Sequence, residues 1–496
     1  MALELEPLPP EPPQTPAPRP AVLRALRRRA VATVRSVRVG SARTLSRSVA
    51  FSLGVHACVF AVLWVIFSLW PREPLERTVS IRISLSDYAE ATDPEAEAGG
   101  ASPKAEAPED GPQDVASAAP GLLFDDEKEA LTVGAGASPA GAAVLGRIGG
   151  HEALLQAGGG DAATEGALRL ALAWLARHQN PDGTWDAVSF RSRCTGPACV
   201  GIGGAPYVDA TTALALLPFL GAGHTHREGP WRDTVKLALR AIVARQRPDG
   251  SFGGDSRRGY ATAISTLALA EAYGLTRSPS LREPAQRAVD GLARTQSGAG
   301  GWRYEPGDDE ADSSVTGWAT VALAAARRAD LVVQERTLLG CRAWFRGVRD
   351  ADGNIGYTAR GGGSVALLGV GAIAQILLGD DPDSPLLAPT FDRLERRSPR
   401  PPADDGDGAG EFGATDPLHW YYGGLATFQL GGGTWKFWNE RLRAALLPTQ
   451  VHDESDAHGS WPPMGGSGRN GGRIITTALC ALSLEVYYRY PRATMR

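Results

Sequence analysis

The residues best equipped for chemistry stand in an acidic run, Asp308-Asp309-Glu310-Ala311-Asp312, that ends where an apolar stretch begins. A carboxylic acid that protonates an apolar substrate needs a raised pKa, which an apolar enclosure supplies. Asp309 and Asp312 are the positions from which such an acid would act. Asp312 also stands where a helix starting at Ser313 needs an N-cap, and a carboxylate there satisfies free backbone amides without any catalysis. His224-x-His226, with Glu228 nearby and Cys194 and Cys199 as further donors, is the best metal-ligand grouping by residue type; its alternative is a polar loop bonded to backbone. Cys194 and Cys199, in RCTGPACVG, are also close enough to close a disulfide loop in an oxidising compartment. Asp350-x-Asp352-x-Asn354 opens like a calcium loop, but Gly356 falls one place late and the terminal Glu is missing, so it reads as a turn. His452, Asp453 and His458 read as solvated, and Asp405-x-Asp407 is no stronger a site. Cys58, Cys341 and Cys480 fall in apolar or helical patterns and read as buried thiols. No cofactor is expected.

The elements that must position these residues recur at a fixed spacing. Gln179-x-x-x-Gly183-x-Trp185, Gln246-x-x-x-Gly250-x-Phe252 and Gln296-x-x-x-Gly300-x-Trp302 are copies of one motif. Gly353 marks a degenerate copy with Arg349 in the Gln place, and Gly459-x-Trp461 a last copy, interrupted after Gln450. The Gly should end a helix, the ring should wedge between turns, and the Gln amide should cap exposed helix ends. Each copy follows a charged amphipathic helix, as at Trp231–Gln246, Ser280–Gln296 and Glu335–Arg346. Each precedes a bland one, as at Asp209–Gly221, Gly259–Tyr273, Ser313–Ala326, Gly363–Leu378, Pro417–Leu430 and Ile474–Tyr488. A helix apolar on every side is buried on every side. The expected fold is therefore all-α, an α6/α6 toroid of about six helical hairpins over residues 161–492, with a linear solenoid as the alternative. A functional cavity in it would be bounded by residues that begin the inner helices: Tyr207, Asp209, Tyr260, Asp312, Trp318, His419, Trp420, Tyr421 and Tyr422. Core packing of the same aromatics is the competing reading.

The Gln-x-x-x-Gly-x-Trp copies resemble the QW motifs of squalene–hopene cyclases, in the terpenoid cyclase and protein prenyltransferase superfamily. GAGHTHREG at 221–229, GWRYEPG at 301–307, SSVTGW at 313–318, HWYYGG at 419–424 and EVYYRYP resemble more closely a bacterial family of prenyltransferase/squalene-oxidase repeat proteins. That resemblance covers about residues 160 to 492 and implies the toroid; it implies little about a reaction. The cyclases' Asp-x-Asp-Asp acid motif is not matched by Asp308–Asp312, and their second α-barrel domain is missing. The prenyltransferases' zinc triad of Asp, Cys and His is not formed around Cys341 or Cys480, and the Gly-Cys-Gly-Glu-Gln of toroidal thioester proteins is absent.

The amino-terminal third is of another kind. Residues 1–48 are rich in Pro and Arg; residues 49–70, VAFSLGVHACVFAVLWVIFSLW, run uncharged for long enough to span a bilayer. Arginines before the span place the amino terminus inside, which makes this a single-pass anchor of a bacterial inner membrane with the rest in the periplasm. Ser52 and His56 share a face of that helix and resemble the Ser-x-x-x-His pair of TonB-type anchors, which implies a proton-driven motor partner. Residues 71–160 read as a flexible acidic Ala/Gly/Pro-rich linker with a reach of roughly 50 Å. A net charge of −4 with no basic stripe in the second half excludes general nucleic-acid binding. The expectation is a tethered binding or scaffolding module for an envelope protein, a glycan or an apolar ligand. Its alternatives are a cyclase-like enzyme acting on an isoprenoid and a component of a motor-coupled envelope complex.

Overall fold

Two chemical kinds of helix alternate along the chain, and the alternation decides which layer each one joins. In the computed structural model the described residues are Leu155, 158–254, 257–305, 307–402 and 413–489. They belong to one of two compact units, Pro112–Arg496; residues 1–111, the other unit, lie outside the described residues. The charged kind comprises α1 (Ala162–Arg177), α3 (Arg232–Arg245), α5 (Pro279–Arg294), α7 (Glu335–Val348), α9 (Ala388–Arg396) and α11 (Gly432–Leu446). The bland kind comprises α2 (Val208–Gly221), α4 (Arg258–Thr276), α6 (Ser313–Arg328), α8 (Ala366–Leu377), α10 (Pro417–Leu430) and α12 (Gly465–Leu484). A last turn, α13, covers Val486–Arg489. No strand forms among the described residues.

The bland helices pack in chain order, α2 on α4, α4 on α6, α6 on α8, α8 on α10 and α10 on α12. Then α12 packs back on α2. That last contact closes the ring, and a linear solenoid lacks it. The charged helices clad the ring outside, so the domain is an all-α toroid of six hairpins. Beyond their first turns α2, α4, α6, α8 and α10 are buried almost all round. Small residues make this possible: a Cβ on Gly369 would meet the backbone of Gly423 at 2.5 Å, so α8 and α10 touch main chain to main chain. The helix limits differ from the pattern mainly at the last inner helix. There α12 begins nine residues before Ile474, kinks at Gly472 (φ 69°) and breaks at Glu485 instead of running on to Tyr488.

The repeated Gln, Gly and Trp are the clasps of the outer layer. Gln296 Nε2 donates to the Gly300 carbonyl at 2.8 Å and to the Thr337 carbonyl of α7 at 2.9 Å. Gln179 reaches Thr234 of α3 in the same way, and Gln246 reaches Pro284 of α5. In the degenerate copy the Arg349 guanidinium reaches the Leu386 carbonyl and Thr390 of α9. Gln450 closes the circle by donating to the Ala167 carbonyl of α1 at 2.8 Å. Each clasp therefore ties one outer helix to the next. The helix ends are capped by the rings and not by the Gln amides, as the indole N–H groups of Trp185, Trp302 and Trp461 bond the carbonyls of Leu175, Leu292 and Leu446. An inner-helix threonine holds each motif ring from the other side: Thr212, Thr262, Thr316 and Thr477 accept from the backbone N–H groups of Trp185, Phe252, Trp302 and Trp461.

Candidate functional site

Antiparallel outer helices separate successive inner ones, so all six inner helices run the same way and begin at one rim of the ring. Lateral backbone bonds knit that rim: Gly259 N–H to the Tyr304 carbonyl at 2.8 Å and Ser313 N–H to the Tyr357 carbonyl at 2.9 Å. The opposite end is closed by a buried ion cluster. There Arg489 donates to both carboxylate oxygens of Glu271 at 2.7 and 2.6 Å, and to the Leu217 carbonyl of α2 at 3.1 Å. Glu485 lies beside the same guanidinium at 3.4 Å.

At the rim Asp312 caps α6, its Oδ1 accepting from the backbone N–H groups of Ser314 and Val315 at 2.9 Å each and from Ser314 Oγ at 2.6 Å. Its Oδ2 is buried with no hydrogen-bond partner. Burial raises the Asp312 pKa, opposed by those hydrogen bonds and by the nearby charge of Arg303. Tyr260 Oη lies 2.6 Å from Ser314 Oγ, and with the Ser314 proton given to Asp312 the phenol is the donor. A hydrogen-bonded line thus runs from Tyr260 through Ser314 to the Asp312 carboxylate. Burial, with the Asp312 charge as a lesser cause, drives the Tyr260 pKa upward and keeps the phenol protonated. Tyr260 stacks on Tyr304 at 6.0 Å, Tyr304 and Tyr357 bond hydroxyl to hydroxyl, and the Arg257 guanidinium lies 5.1 Å from the Tyr304 ring and 5.7 Å from the Tyr207 ring. Tyr207 and Arg257 precede α2 and α4 with φ of 46° and 55°, a left-handed conformation that costs a residue with a side chain about 1 kcal/mol or more. Tyr207, Tyr260, Tyr304 and Tyr357 are all half-buried, so the rim presents an aromatic and cationic face.

Only part of the expected pocket set gathers here. Tyr207, Tyr260 and Asp312 do. Asp209 is spent on structure, its carboxylate paired with Arg245 of α3 and accepting the Gly253 N–H at 2.7 Å. Asp309 is exposed and lacks the apolar enclosure an acid catalyst needs. Trp318, Tyr421 and Tyr422 pack on one another inside the ring, with centroids 5.9 and 5.2 Å from the Trp318 ring, and almost no surface left for a ligand. His419 and Trp420 point away from the ring axis. His419 Nε2 lies 2.8 Å from the Arg397 carbonyl and its ring abuts Trp438 of α11, while the Trp420 indole donates to the Ala414 carbonyl. These five are core, because the inner face is filled by its own side chains. Tyr304 and Tyr357 were missed; each lies in a repeat loop, two residues after Trp302 and Ile355, and that register is their sequence signal. A concavity of about 510 Å³ is lined by Arg346, Arg349, Asp350, Arg360, Gln375 and Leu386.

His224 and His226 do not gather with the cysteine pair. Among the described residues, the group of three donors near enough to share an ion is His178, Cys194 and Cys199. Cys194 and Cys199 stand as free thiols facing His178, which sits at the end of α1 and was not read as a ligand. Cys341 and Cys480 are buried inside helices as expected, and burial pushes the Cys341 thiol up to about 12. Asp350 and Asn354 form a closed turn, with Asp350 accepting from Asn354 N and Nδ2 at 2.8 and 2.7 Å. No described helix is long and apolar enough to cross a membrane; residues 49–70, with Ser52 and His56, lie outside the described residues, as do Asp405 and Asp407.

No protein-family model matches the chain. Drimenyl diphosphate synthase of Streptomyces showdoensis is 33% identical over 132 residues, 26% of this chain; the match spans 24% of that protein. Among solved structures, the GH76A α-1,6-mannanase of Salegentibacter sp. HEL1_6 aligns with 66% of this chain and 98% of its own at 14% identity and a TM-score of 0.47. The type II terpene cyclase MstE from Scytonema aligns with 65% of this chain and 98% of its own at 16% identity and a TM-score of 0.42. The architecture stands on the closed ring of helix contacts, which defines the class: an all-α toroid with an aromatic, cationic rim.

Proposed function

We propose that the toroid is a tethered binding module of the bacterial periplasm, held to the inner membrane by residues 49–70, and that it takes its partner at the rim where the inner helices begin. The observation that carries this reading is the half-buried face of Tyr207, Tyr260, Tyr304 and Tyr357, with the exposed Arg257 against it, above a ring whose interior aromatics are packed shut. Flat phenol faces, hydroxyls and a guanidinium suit a glycan or an acidic peptide strand better than an alkyl chain. The test is crosslinking and pull-down from membranes with wild type and a Tyr260→Ala/Tyr304→Ala double variant. A partner captured by the wild type and lost by the variant is expected. Recovery of the same proteins and glycans in both arms, or of none in either, sinks the reading.

A second reading is favoured by Asp312, a buried carboxyl of raised pKa at the end of a hydrogen-bonded line. Here it is the acid of a cyclase-like enzyme acting on an isoprenoid, a reading to which the partial likeness to drimenyl diphosphate synthase adds support. Incubation with a linear isoprenoid diphosphate, followed by mass spectrometry, should then give a cyclised product that Asp312→Asn abolishes. Absence of turnover in the wild type removes the idea. Coupling to a proton-driven motor rests on Ser52 and His56 alone, and an unchanged phenotype in His56→Ala would leave it without support.

A further inference from the structure

The ring is closed by a seam between the first and last repeats, and the seam holds a group of ligand atoms that the rim does not use. His178 ends α1; Cys194 and Cys199 lie in the long loop from α1 to α2, which is pinned to the last repeat. Asp456 Oδ2 accepts the Gly196 N–H at 2.6 Å, its Oδ1 accepts from Thr195 Oγ1 at 3.1 Å, and its carbonyl accepts the Trp174 indole N–H at 2.9 Å. We infer that His178, Cys194 and Cys199 form a transition-metal site of the zinc class that fastens this seam.

Three observations carry the site. First, the imidazole is set up as a ligand. His178 Nδ1 lies 2.9 Å from the Trp174 carbonyl, which can only accept, so Nδ1 carries the proton and the Nε2 lone pair is free toward the sulfurs. Second, the spacing fits. Nε2 is 3.5 Å from Cys194 Sγ and 3.7 Å from Cys199 Sγ, and all three atoms lie within 4.8 Å of one another. Tetrahedral zinc with Zn–N of about 2.05 Å and Zn–S of about 2.3 Å sets its nitrogen and sulfur ligands about 3.6 Å apart. Third, the surroundings hold the two sulfurs in place, although burial without a metal pushes the Cys199 thiol up to about 12. The Cys199 backbone N–H donates to Cys194 Sγ at 3.2 Å. Arg473, 3% exposed, bonds the Val200 carbonyl and Ser460 Oγ and so anchors the chain beside Cys199 to the last repeat. Trp174, stacked on the imidazole at 4.3 Å, and Phe190, at 5.9 Å, wall the cluster with apolar surface.

Thiolate and imidazole donors select zinc over magnesium or calcium. Three protein ligands leave a fourth position for water or an incoming donor, on the side where Cys194 is half-exposed. The donor set differs from the Asp-Cys-His triad sought around Cys341 and Cys480, and it includes neither of those cysteines.

The test uses the full-length chain purified in detergent, without chelators and under reducing conditions. About one zinc per chain is expected, and replacement by Co²⁺ should give thiolate-to-cobalt charge-transfer absorption with ligand-field bands of tetrahedral intensity. Cys194→Ser and Cys199→Ser should each lose at least nine-tenths of the bound zinc, while Cys341→Ser keeps it. Because a serine variant can also fail by misfolding, alkylation of the wild type supplies the second measurement: added zinc should protect both seam thiols and a chelator should restore their labelling. Two results overturn the site. One is a Cys194–Cys199 disulfide in the intact mass of the chain isolated with thiols blocked at lysis. The other is a reduced, zinc-free chain whose seam thiols label at one rate with and without zinc.

Discussion

At the scale of single residues, environment sorts groups that the sequence presents as equals. Asp312 and Asp309 sit three places apart, yet one is a buried cap and the other is exposed. Because Oδ1 alone carries the cap, Asp312→Asn should keep most of the stability that Asp312→Ala loses, about 1–2 kcal/mol by urea denaturation. Equal losses would show that the second oxygen is also engaged. His419 is a titration of the opposite kind, since full burial lowers its pKa from 6.5 to about 4. The unfolded chain then binds the proton first. The contribution is fully present above pH 6.5 and falls as pH drops toward 4, by up to roughly 3 kcal/mol. Asp312 and Asp416, raised by burial, act in the other sense; their contribution is present below their ordinary value of 3.8 and fades as pH rises through the raised ones. His419→Gln should therefore flatten the fall in stability between pH 6.5 and 4, and an unchanged slope would assign it elsewhere.

At the scale of elements, the clasp between outer helices is the unit that repeats. Gly300 adopts φ +88°, and a Cβ there would stand 2.5 Å from the Gly340 carbonyl oxygen of α7. Gly300→Ala should thus cost more than about 1 kcal/mol, through both backbone strain and a shifted helix. A thermal shift no larger than that of Gly298→Ala, whose Cβ would meet nothing within 4 Å, would refute this. Trp302→Ala removes a buried ring and a carbonyl cap together and should cost about 3–5 kcal/mol. The loops of the same units carry Tyr304 and Tyr357, so fold-making and rim-making residues sit two places apart. The sequence shows the first set through a spacing that recurs; the second recurs only as rings of one type whose meeting requires neighbouring loops to lie side by side.

At the scale of the molecule, stability depends on closing the ring, and two buried devices do it. One is the ion cluster in which Arg489 joins α4, the end of α12 and the α2 backbone. Removing one partner of such a pair leaves an uncompensated buried charge, so Arg489→Met should destabilise the domain by roughly 3–5 kcal/mol. The exposed Arg232–Asp233 pair should contribute almost nothing by comparison, and similar unfolding midpoints for Arg489→Met and Arg232→Met would contradict the assignment. The other device is Gln450, which carries the repeat's clasp from the last outer helix round to the first.

The sequence by itself determined the alternation of charged and bland helices, the number of hairpins and the inward face, because burial on all sides demands composition that is apolar or small on all sides. It also placed Asp312 as a cap, since a helix start needs an acceptor at that position. The tertiary structure decided between the expected closed ring and the linear solenoid, as α12 reaches α2 across more than two hundred residues. It turned His419 and Trp420 to the outer layer and packed Trp318 against Tyr421 and Tyr422. It also set His178, at the end of α1, beside the cysteine pair. Those outcomes depend on which loops a closed circle makes adjacent, and one-dimensional spacing carries no information on that.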